Sequence, residues 1–267
     1  MSTESASLSE FFQSDPSCTQ LYKELKDAPY FFREVIKKHN IVLSVFLRSL
    51  EMPDHYLLVT TTHLYYHPKG DHVRLAQVAI ILNFLRSKLD NFMDLVGSHA
   101  KVATILCGDF NSCQCIAAYE YVLKGHISRH HRDWMVYKLS EVPRCNCNSK
   151  QPPMQEASSS SDESEDEPDS PSKEILDKRR PSTVDEFKGL NLKHSFHFQN
   201  AYDSNHYTNF TKGYIGVLDY IFIDSDHLSV TRAVPFPSHE EVTEFVALPS
   251  VYFPSDHLAL ISDLKWK

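Results

Sequence analysis

Stretches of apolar and β-branched residues, bounded by turn-forming residues, predict the strands of this chain. The first two stretches are separated by a polar turn through Pro53 and Asp54. The third is a continuous apolar run, typical of a buried strand, and Gly108 at its end permits a sharp turn. The predicted strands are residues 41–50, 56–62, 102–107, 217–223 and 258–264.

A spacing of three or four residues between apolar positions predicts helices in other parts of the chain. Residues 21–38 have helical character with a break at Pro29. A longer helix begins at Val73, and its apolar stripe can pack against a sheet. Because strands alternate with helices, we predict an α/β or α+β layered fold. The stripe consists of Leu75, Val78, Ala79, Leu82, Leu85 and Leu89.

The negative charge of the chain is concentrated in one segment. The chain has 267 residues, of which 42% are hydrophobic, and a formal net charge of −8. Residues 156–174 carry eight acidic side chains and one lysine, a local charge of −7, which leaves about −1 for all other residues. The overall acidity is therefore weak evidence against a nucleotide or RNA partner.

The residues around this acidic run are too polar to build a core. We predict a disordered insert at about residues 148–181, a flexible amino terminus over residues 1–19, and one domain over residues 20–267. The six cysteines lack disulfide-framework spacing, which favours free thiols in a reducing compartment over a zinc site. No run is long enough to span a membrane, and residues 1–15 resemble neither a signal peptide nor a transit peptide.

Four polar groups stand at the ends of predicted strands. Each has a simple structural alternative: Asp109 and Asn111 favour an ordinary Asx turn, His63 alone suits a core histidine, and Asp256 alone suits a turn. Together, however, carboxylates and imidazoles at strand ends are what a metal-assisted phosphoryl-transfer site requires. The groups are Thr62-His63, Asp109-Phe110-Asn111, Asp219 and Asp256-His257.

These motifs carry a family resemblance. Thr-His-Leu, Gly-Asp-Phe-Asn, Leu-Asp-Tyr-Ile-Phe and Ser-Asp-His, in this order, resemble the endonuclease/exonuclease/phosphatase superfamily. The chain is most similar to its 2′-phosphodiesterase branch, the mitochondrial type of 2′,5′-oligoadenylate phosphodiesterase. The carbon-catabolite-repression deadenylases share the core motifs but match less well around residues 63–70 and Ser238-His239. The similarity to the branch lies in residues 63–70, 218–224, 237–242, 248–251 and 263–267.

The resemblance implies a fold and an activity. The fold would be a layered two-sheet sandwich flanked by helices. The activity would be that of a Mg²⁺-dependent phosphodiesterase and exoribonuclease, with Mn²⁺ as another possible ion, acting on 2′,5′-linked oligoadenylates and on 3′,5′-linked poly(A) tails. The alternatives are a poly(A)-specific deadenylase and a degenerate relative that binds without catalysis. The implied partner is RNA, with no membrane and no obligate protein partner, and the implied location is the mitochondrial matrix, with the cytoplasm or nucleus as the alternative.

The resemblance also implies roles for the catalytic and metal-binding residues. Asp109 would orient the attacking water and contact the metal ion. Asn111 would hold the metal or a phosphate oxygen, and Asp256 would lie beside the metal. Asp219 would pair with His257 and favour its charged form.

Other residues would contact the substrate. His63 would meet the scissile phosphate, together with Asn111. Phe210 would stack on adenine, which contributes about 1–3 kcal/mol per base, and packing in the core is its equal alternative. The further substrate-binding residues implied by the resemblance are Tyr207, Asn209 and Lys69.

One part of the superfamily pattern has no counterpart in the chain. The superfamily domain opens with a strand carrying an Asn and, further on, a metal-binding Glu, and nothing before His63 has this pattern. The resemblance covers about residues 20–267, the latter two thirds of the domain, so we expect a domain that is incomplete at its amino terminus. We also expect residues 1–267 alone to hydrolyse 2′,5′-linked adenylates poorly or not at all, because a metal-binding carboxylate is missing.

Overall fold

The computed structural model describes residues 2–138, 187–202 and 206–267. The predicted disordered insert at about residues 148–181 lies outside these residues. Within the described ranges, no helix is both long enough and apolar enough to cross a membrane.

Twelve strands and six α-helices make up the described residues, with 3₁₀ turns at Pro16–Cys18 and Arg132–Lys138. In chain order they are β1 (Ser2–Ser7), α1 (Leu8–Ser14), α2 (Thr19–Lys26), α3 (Pro29–Ile36), β2 (Ile41–Arg48), β3 (His55–His63), α4 (Asp71–Val96), β4 (Lys101–Asp109), α5 (Ala117–Lys124), β5 (His126–Ile127), β6 (Leu192–Lys193), β7 (Phe198–Asn200), β8 (Asn209–Phe210), β9 (Ile215–Gly216), β10 (Asp219–Asp224), β11 (Leu228–Ala233), α6 (His239–Thr243) and β12 (Ser262–Trp266).

A six-stranded sheet with the order β1-β2-β3-β4-β10-β7 lies at the centre of the fold. Strands β3 and β4 are parallel, and the long helix α4 makes the crossover between them. Every other neighbouring pair in this sheet is antiparallel. The parallel pair therefore brings the carboxyl ends of β3 and β4 to the same edge of the sheet.

Alternate side chains of the sheet pack into two different cores, as the two-residue period of a strand requires. Leu106 of β4 and Phe222 of β10 face the helices, in the core that α4 fills. All six residues of the predicted stripe on α4 are buried there. The buried set is wider than the predicted stripe, because every residue of α4 from Asp71 to Leu82 is buried and this half of the helix is therefore covered on all sides.

The opposite face of the sheet packs against a much smaller layer. Ile105 and Ile221 pack in the same hydrophobic cluster as Leu264 and Trp266 of the antiparallel pair β11–β12. The predicted α/β class is confirmed. Among the described residues, the second sheet of the predicted sandwich is this two-stranded pair, and Leu43 of β2 remains 40% exposed.

The amino terminus differs from the prediction of a flexible segment over residues 1–19. Strand β1 pairs antiparallel with β2 from Ser2↔Phe46 to Ser7↔Ile41. Helix α1 then buries Leu8, Phe11 and Phe12. The strand was not predicted because its serines have no apolar pattern, and it forms through backbone hydrogen bonds to β2. Helix α1 was not predicted because only three apolar residues pack it against the core.

The last predicted strand also differs from the observed one. Residues 258–264 were expected in it, whereas β12 is Ser262–Trp266. The N–H of Leu258 donates instead to the carbonyl of Thr208, at 2.7 Å. This bond connects Leu258 to the residue just before strand β8, close to the site described below.

His72, a buried histidine in α4, should make the stability of the fold depend on pH. His72 is 4% exposed and packs against Phe31, with ring centroids 5.1 Å apart. Burial, reinforced by the positive charge of Arg74, lowers the pKa of His72 from 6.5 to about 3. The unfolded chain therefore binds this proton near pH 6.5, while the folded chain resists it, so acid favours unfolding.

We expect the His72 contribution to the free energy of unfolding to fall by about 2 kcal/mol between pH 6.5 and 5. The measurement is urea unfolding at both pH values for the wild type and for His72→Leu. The variant should lose less stability on acidification, because it lacks the buried titrating group. The control is His126→Gln, which changes an exposed ring. Equal pH dependence of all three proteins would contradict the prediction.

Candidate active site

Three neighbouring strands bring three predicted site residues side by side. In the parallel pair β3–β4, His63 is the register partner of Asp109. In the antiparallel pair β4–β10, Asp109 is the partner of Asp219. The carboxyl ends of β3 and β4 thus meet the amino end of β10, and the pairing itself sets the order of the three side chains.

A compact cluster forms at this edge. Asp109, Asp219 and His257 each offer a ligand atom within 4.8 Å of the others, a spacing that could hold a metal ion. Nε2 of His63 lies 3.4 Å from Oδ2 of Asp109, and Nε2 of His257 lies 3.9 Å from the same oxygen. Two imidazoles therefore face one carboxylate.

A sharp turn after β4 aims Asp109 and Asn111. Gly108 has φ +134°, and a Cβ at this position would lie 1.9 Å from the carbonyl oxygen of Thr62. Asn111, at φ +47°, donates its N–H to Oδ1 of Asp109 at 2.8 Å. Its side-chain Nδ2 donates to the carbonyl of Leu64 at 3.0 Å. The Asx turn is present, and it also fixes the carboxylate of the cluster.

His257 is oriented by a hydrogen-bonded pair that ends on β10. Its Nδ1 lies 2.7 Å from Oδ2 of Asp219. Thr208 donates to the same oxygen at 2.7 Å and accepts the backbone N–H of Leu218 and Asp219. Thr208 was not predicted as a site residue, although its neighbours Tyr207, Asn209 and Phe210 were. Asp219 thus holds the ring and leaves Nε2 facing Asp109.

The pKa values of His257 and Asp109 are both raised, for different reasons. Burial opposes the charged form of His257, but the hydrogen bond to Asp219 and the charges of the nearby carboxylates outweigh it and raise the pKa. Burial raises the pKa of Asp109, and Asp219 adds to the rise, while the Asn111 N–H and the two imidazoles oppose it. The site therefore favours an imidazolium and strains a buried carboxylate, which a cation would relieve.

Replacing Asp219 by Asn should lower the pKa of His257. The change removes the hydrogen-bonded charge that raises this pKa, so burial then dominates and favours the neutral ring. The measurement is an NMR titration of the His257 ring in metal-free protein. The control is Asp224→Asn on the same strand, whose carboxylate pairs with His227. An unchanged His257 titration in Asp219→Asn would refute the assigned cause.

Asp256 lies at the outer side of the cluster. Its Oδ2 is 3.9 Å from Nε2 of His257 and accepts from Nδ2 of Asn209 at 3.4 Å. His257 and Thr208 both bond Oδ2 of Asp219, so Oδ1 of Asp219 and the carboxylates of Asp109 and Asp256 keep capacity for a cation. A hard divalent cation is usually held by one or two carboxylates plus waters and substrate phosphate, so these residues fit such an ion.

The predicted substrate contacts divide into two groups. Asn209 lies in the site, beside Asp256, as given above. Phe210 is 5% exposed and packs in a small core with Val242 and Leu248. Its predicted stacking on adenine is therefore wrong and core packing is correct, because the ring has no free face.

Two substrate predictions concern side chains nearer the surface. Tyr207 is half-buried, its ring centroid is 4.8 Å from that of Phe210, and its hydroxyl lies 3.1 Å from Nδ1 of His239. Lys69 lies in the loop before α4, and its N–H donates to Nδ1 of His67. The roles of Tyr207 and Lys69 at a substrate stay predictions.

The similarity of the chain to known proteins extends over its whole length. No family-level profile matches it. The 2′,5′-phosphodiesterase 12 of Homo sapiens is 33% identical over 267 residues, which are 100% of this chain and 36% of that protein. The chain is a relative of 2′,5′-phosphodiesterase 12. The resemblance to the 2′-phosphodiesterase branch is therefore confirmed.

More distant relatives agree with this assignment. The CCR4-Not complex 3′-5′-exoribonuclease subunit Ccr4 of Schizosaccharomyces pombe is 22% identical over 263 residues, 92% of this chain and 31% of that protein. The crystal structure of ANGEL2, a 2′,3′-cyclic phosphatase, matches with a TM-score of 0.60 at 18% identity and shows the same fold. That match covers 99% of this chain and 66% of that one. The chain spans about a third of the length of 2′,5′-phosphodiesterase 12.

Proposed function

We propose that this protein is a magnesium-dependent phosphodiesterase that cleaves 2′,5′-linked oligoadenylates. The observation that carries the proposal is the convergence of Asp109, Asp219 and His257 at one sheet edge, in a chain related over its whole length to 2′,5′-phosphodiesterase 12. The carboxylate of Asp109 and the imidazoles of His63 and His257 supply the groups that hydrolysis of a phosphodiester needs.

Each residue of the cluster has a separate task in this reaction. Asp109, whose Oδ2 lies near both imidazoles, orients the attacking water and accepts its proton, while the P–O bond to the leaving ribose oxygen breaks and that oxygen takes a proton from solvent. His257, kept protonated by Asp219, donates to a phosphate oxygen that gains negative charge in the transition state. His63 donates to the same phosphate from the other side. General acid–base assistance of this kind contributes about 10²–10⁴ in rate.

The proposed metal ion would be held by Asp109 and Asp256, with Asn111 as a further oxygen ligand. When bound, it neutralises phosphate charge and lowers the pKa of water. Mg²⁺ fits because the available donors are carboxylate and amide oxygens, and Mn²⁺ would fit the same set. The raised pKa of Asp109 supports this position, because a cation there offsets the burial of the carboxylate.

The test is the initial rate of cleavage of a 2′,5′-linked adenylate trimer beside its 3′,5′-linked isomer, with Mg²⁺. We expect faster cleavage of the 2′,5′ linkage. Because Ccr4 is also a relative, the second candidate is a poly(A)-directed 3′-5′ exoribonuclease, and a clear preference for the 3′,5′ isomer would favour it. Binding of both trimers with no cleavage of either, by residues 1–267 and by a longer chain that supplies the further metal-binding carboxylate, would overturn the proposal in favour of a non-catalytic binding protein.

We also propose that the protein acts in the mitochondrial matrix on RNA, as the resemblance to the mitochondrial type of phosphodiesterase implies. Fractionation of cells with an antibody to this protein tests the location. Recovery with cytosolic or nuclear markers instead of matrix markers would contradict it.

A further inference from the structure

The segment between β3 and α4, residues 63–70, contributes to the site through its backbone as well as through His63. We call it the His63 loop. The carbonyl of Leu64 accepts Nδ2 of Asn111, and the N–H of Leu64 donates to the carbonyl of Asp109. The backbone of this loop therefore contacts both ends of the Asp109–Asn111 motif, and any shift of the loop would move His63 relative to Asp109.

Arg74, on the first turn of α4, donates hydrogen bonds to the backbone of the His63 loop. It is 3% exposed, and its Nη1 donates to the carbonyl of Tyr65 at 3.0 Å and to that of His67 at 2.7 Å. Its Nη2 pairs with Asp71, which is also buried. The guanidinium thus joins two carbonyls of the loop to the start of the helix.

Gln77, one turn further along α4, continues this connection. It is 1% exposed, and its Oε1 accepts the N–H of Tyr65 at 3.0 Å. Its Nε2 donates to Oδ1 of Asn40 at 2.6 Å, and Nδ2 of Asn40 donates to the carbonyl of His63 at 2.6 Å. An unbroken chain of hydrogen bonds runs from the helix to the backbone of His63 itself.

A contribution to folding stability does not by itself explain this network. A buried ion pair is weak evidence for a stabilising role, because desolvation of the two charges offsets most of their attraction. Val73, Leu75, Ala76 and Val78, which flank these two positions on α4, are apolar and buried, so apolar side chains could occupy positions 74 and 77 if packing were the only requirement. Hydrogen bonds of Arg74 and Gln77 with three backbone groups of the loop do, however, restrict it to one geometry.

We infer that Arg74 and Gln77 are positioning residues, which act through Asn40 and the His63 loop to hold His63 against Asp109. The inference rests on the proposed function, since the geometry they set is that of the phosphodiesterase site. Gln77 is the better residue to test, because its replacement leaves the buried charges of Asp71 and Arg74 paired.

The experiment compares two variants of the network with a control on the same helix. Gln77→Leu removes the bonds to Tyr65 and Asn40, whereas Asn40→Ala removes only the final link to His63. The control Arg86→Met deletes an exposed arginine that pairs with Asp90. Hydrogen exchange of the Tyr65 amide should rise about tenfold in Gln77→Leu and stay unchanged in Asn40→Ala and the control.

The kinetic measurement separates positioning from folding. We expect kcat for the 2′,5′-linked trimer to fall about tenfold in both network variants, with KM within twofold of wild type and no loss in Arg86→Met. Because Asn40 is half-buried, its variant should fold even where Gln77→Leu does not. Unchanged kcat in Asn40→Ala, or an equal loss in Arg86→Met, would overturn the inference.

Failure of the proposed function gives a different pattern. Absence of trimer cleavage by the wild type bears on the proposed function and not on the network, because kcat then reports nothing about loop geometry. In that case the His63 ring resonance and Tyr65 exchange decide the inference, since both report loop geometry without turnover. A His63 ring resonance that does not move in Asn40→Ala would then show that the network does not position this side chain.

Discussion

Replacing Asp109 by Asn is expected to lower kcat for a 2′,5′-linked adenylate by about 10²–10⁴. The amide keeps the oxygen that accepts the N–H of Asn111, so the turn after β4 should be preserved. The amide cannot accept a proton from water, and the change removes a carboxylate that could bind a cation. The measurement is the rate at saturating substrate, with Asp90→Asn, a change on the exposed side of α4, as the control.

The same variant should be more stable than wild type in the absence of metal. Burial raises the pKa of Asp109, so the folded chain keeps this proton at a pH where the unfolded chain has lost it. Stability attributable to this group therefore falls as pH rises through that range, and the neutral amide avoids the loss. A kcat near that of wild type, or an inactive variant that has also unfolded, would contradict the assigned role of Asp109.

Gly108→Ala is expected to cost more than about 4 kcal/mol of folding stability, out of the 5–15 kcal/mol typical of a whole domain. A methyl group at this position would overlap the carbonyl oxygen of Thr62, the register partner of Gly108 in the parallel pair β3–β4. The backbone of Gly108 also has φ +134°, a value that residues other than glycine rarely adopt. Relief would require β3 and β4 to separate at the edge where His63 and Asp109 meet.

A second glycine supplies the control for this prediction. Gly213 has no heavy atom within 4 Å of an added Cβ, so Gly213→Ala should change the free energy of unfolding by less than about 1 kcal/mol. Both variants are compared with wild type by urea unfolding. Unfolding of Gly108→Ala and Gly213→Ala at the same urea concentration would contradict the close packing of β3 against β4 at Gly108.

The sequence predicts the central strands and the long helix because their signals are local. Residues 102–107 are a continuous apolar run, and the strand found there, β4, extends it by one residue at the start and two at the end. The stripe on α4 follows from the 3.6-residue period, which a helix imposes on any apolar face. The four strand-end motifs were likewise visible, because each joins an apolar run to an acid or an imidazole.

Long-range pairing explains what the sequence did not predict. Thr208 contributes by bonding Asp219, 11 residues later, and a threonine in a loop carries no signal of this role. Phe210 was equally suited to stacking and to packing until the neighbouring loop, with Leu248, was known to cover it. Strand β1 was missed because its serines gain structure only from pairing with β2, about 40 residues further on.

The hydrolytic role of the Asp109–Asp219–His257 cluster is tested most directly by a magnesium titration. The initial rate of shortening of a 2′,5′-linked adenylate trimer is measured for residues 1–267 and for the Asp109→Asn variant, both freed of metal with EDTA. We predict a slow rate that rises with Mg²⁺ in the wild type, and no rise in the variant. A rate independent of Mg²⁺, or equal in the two proteins, would contradict the site.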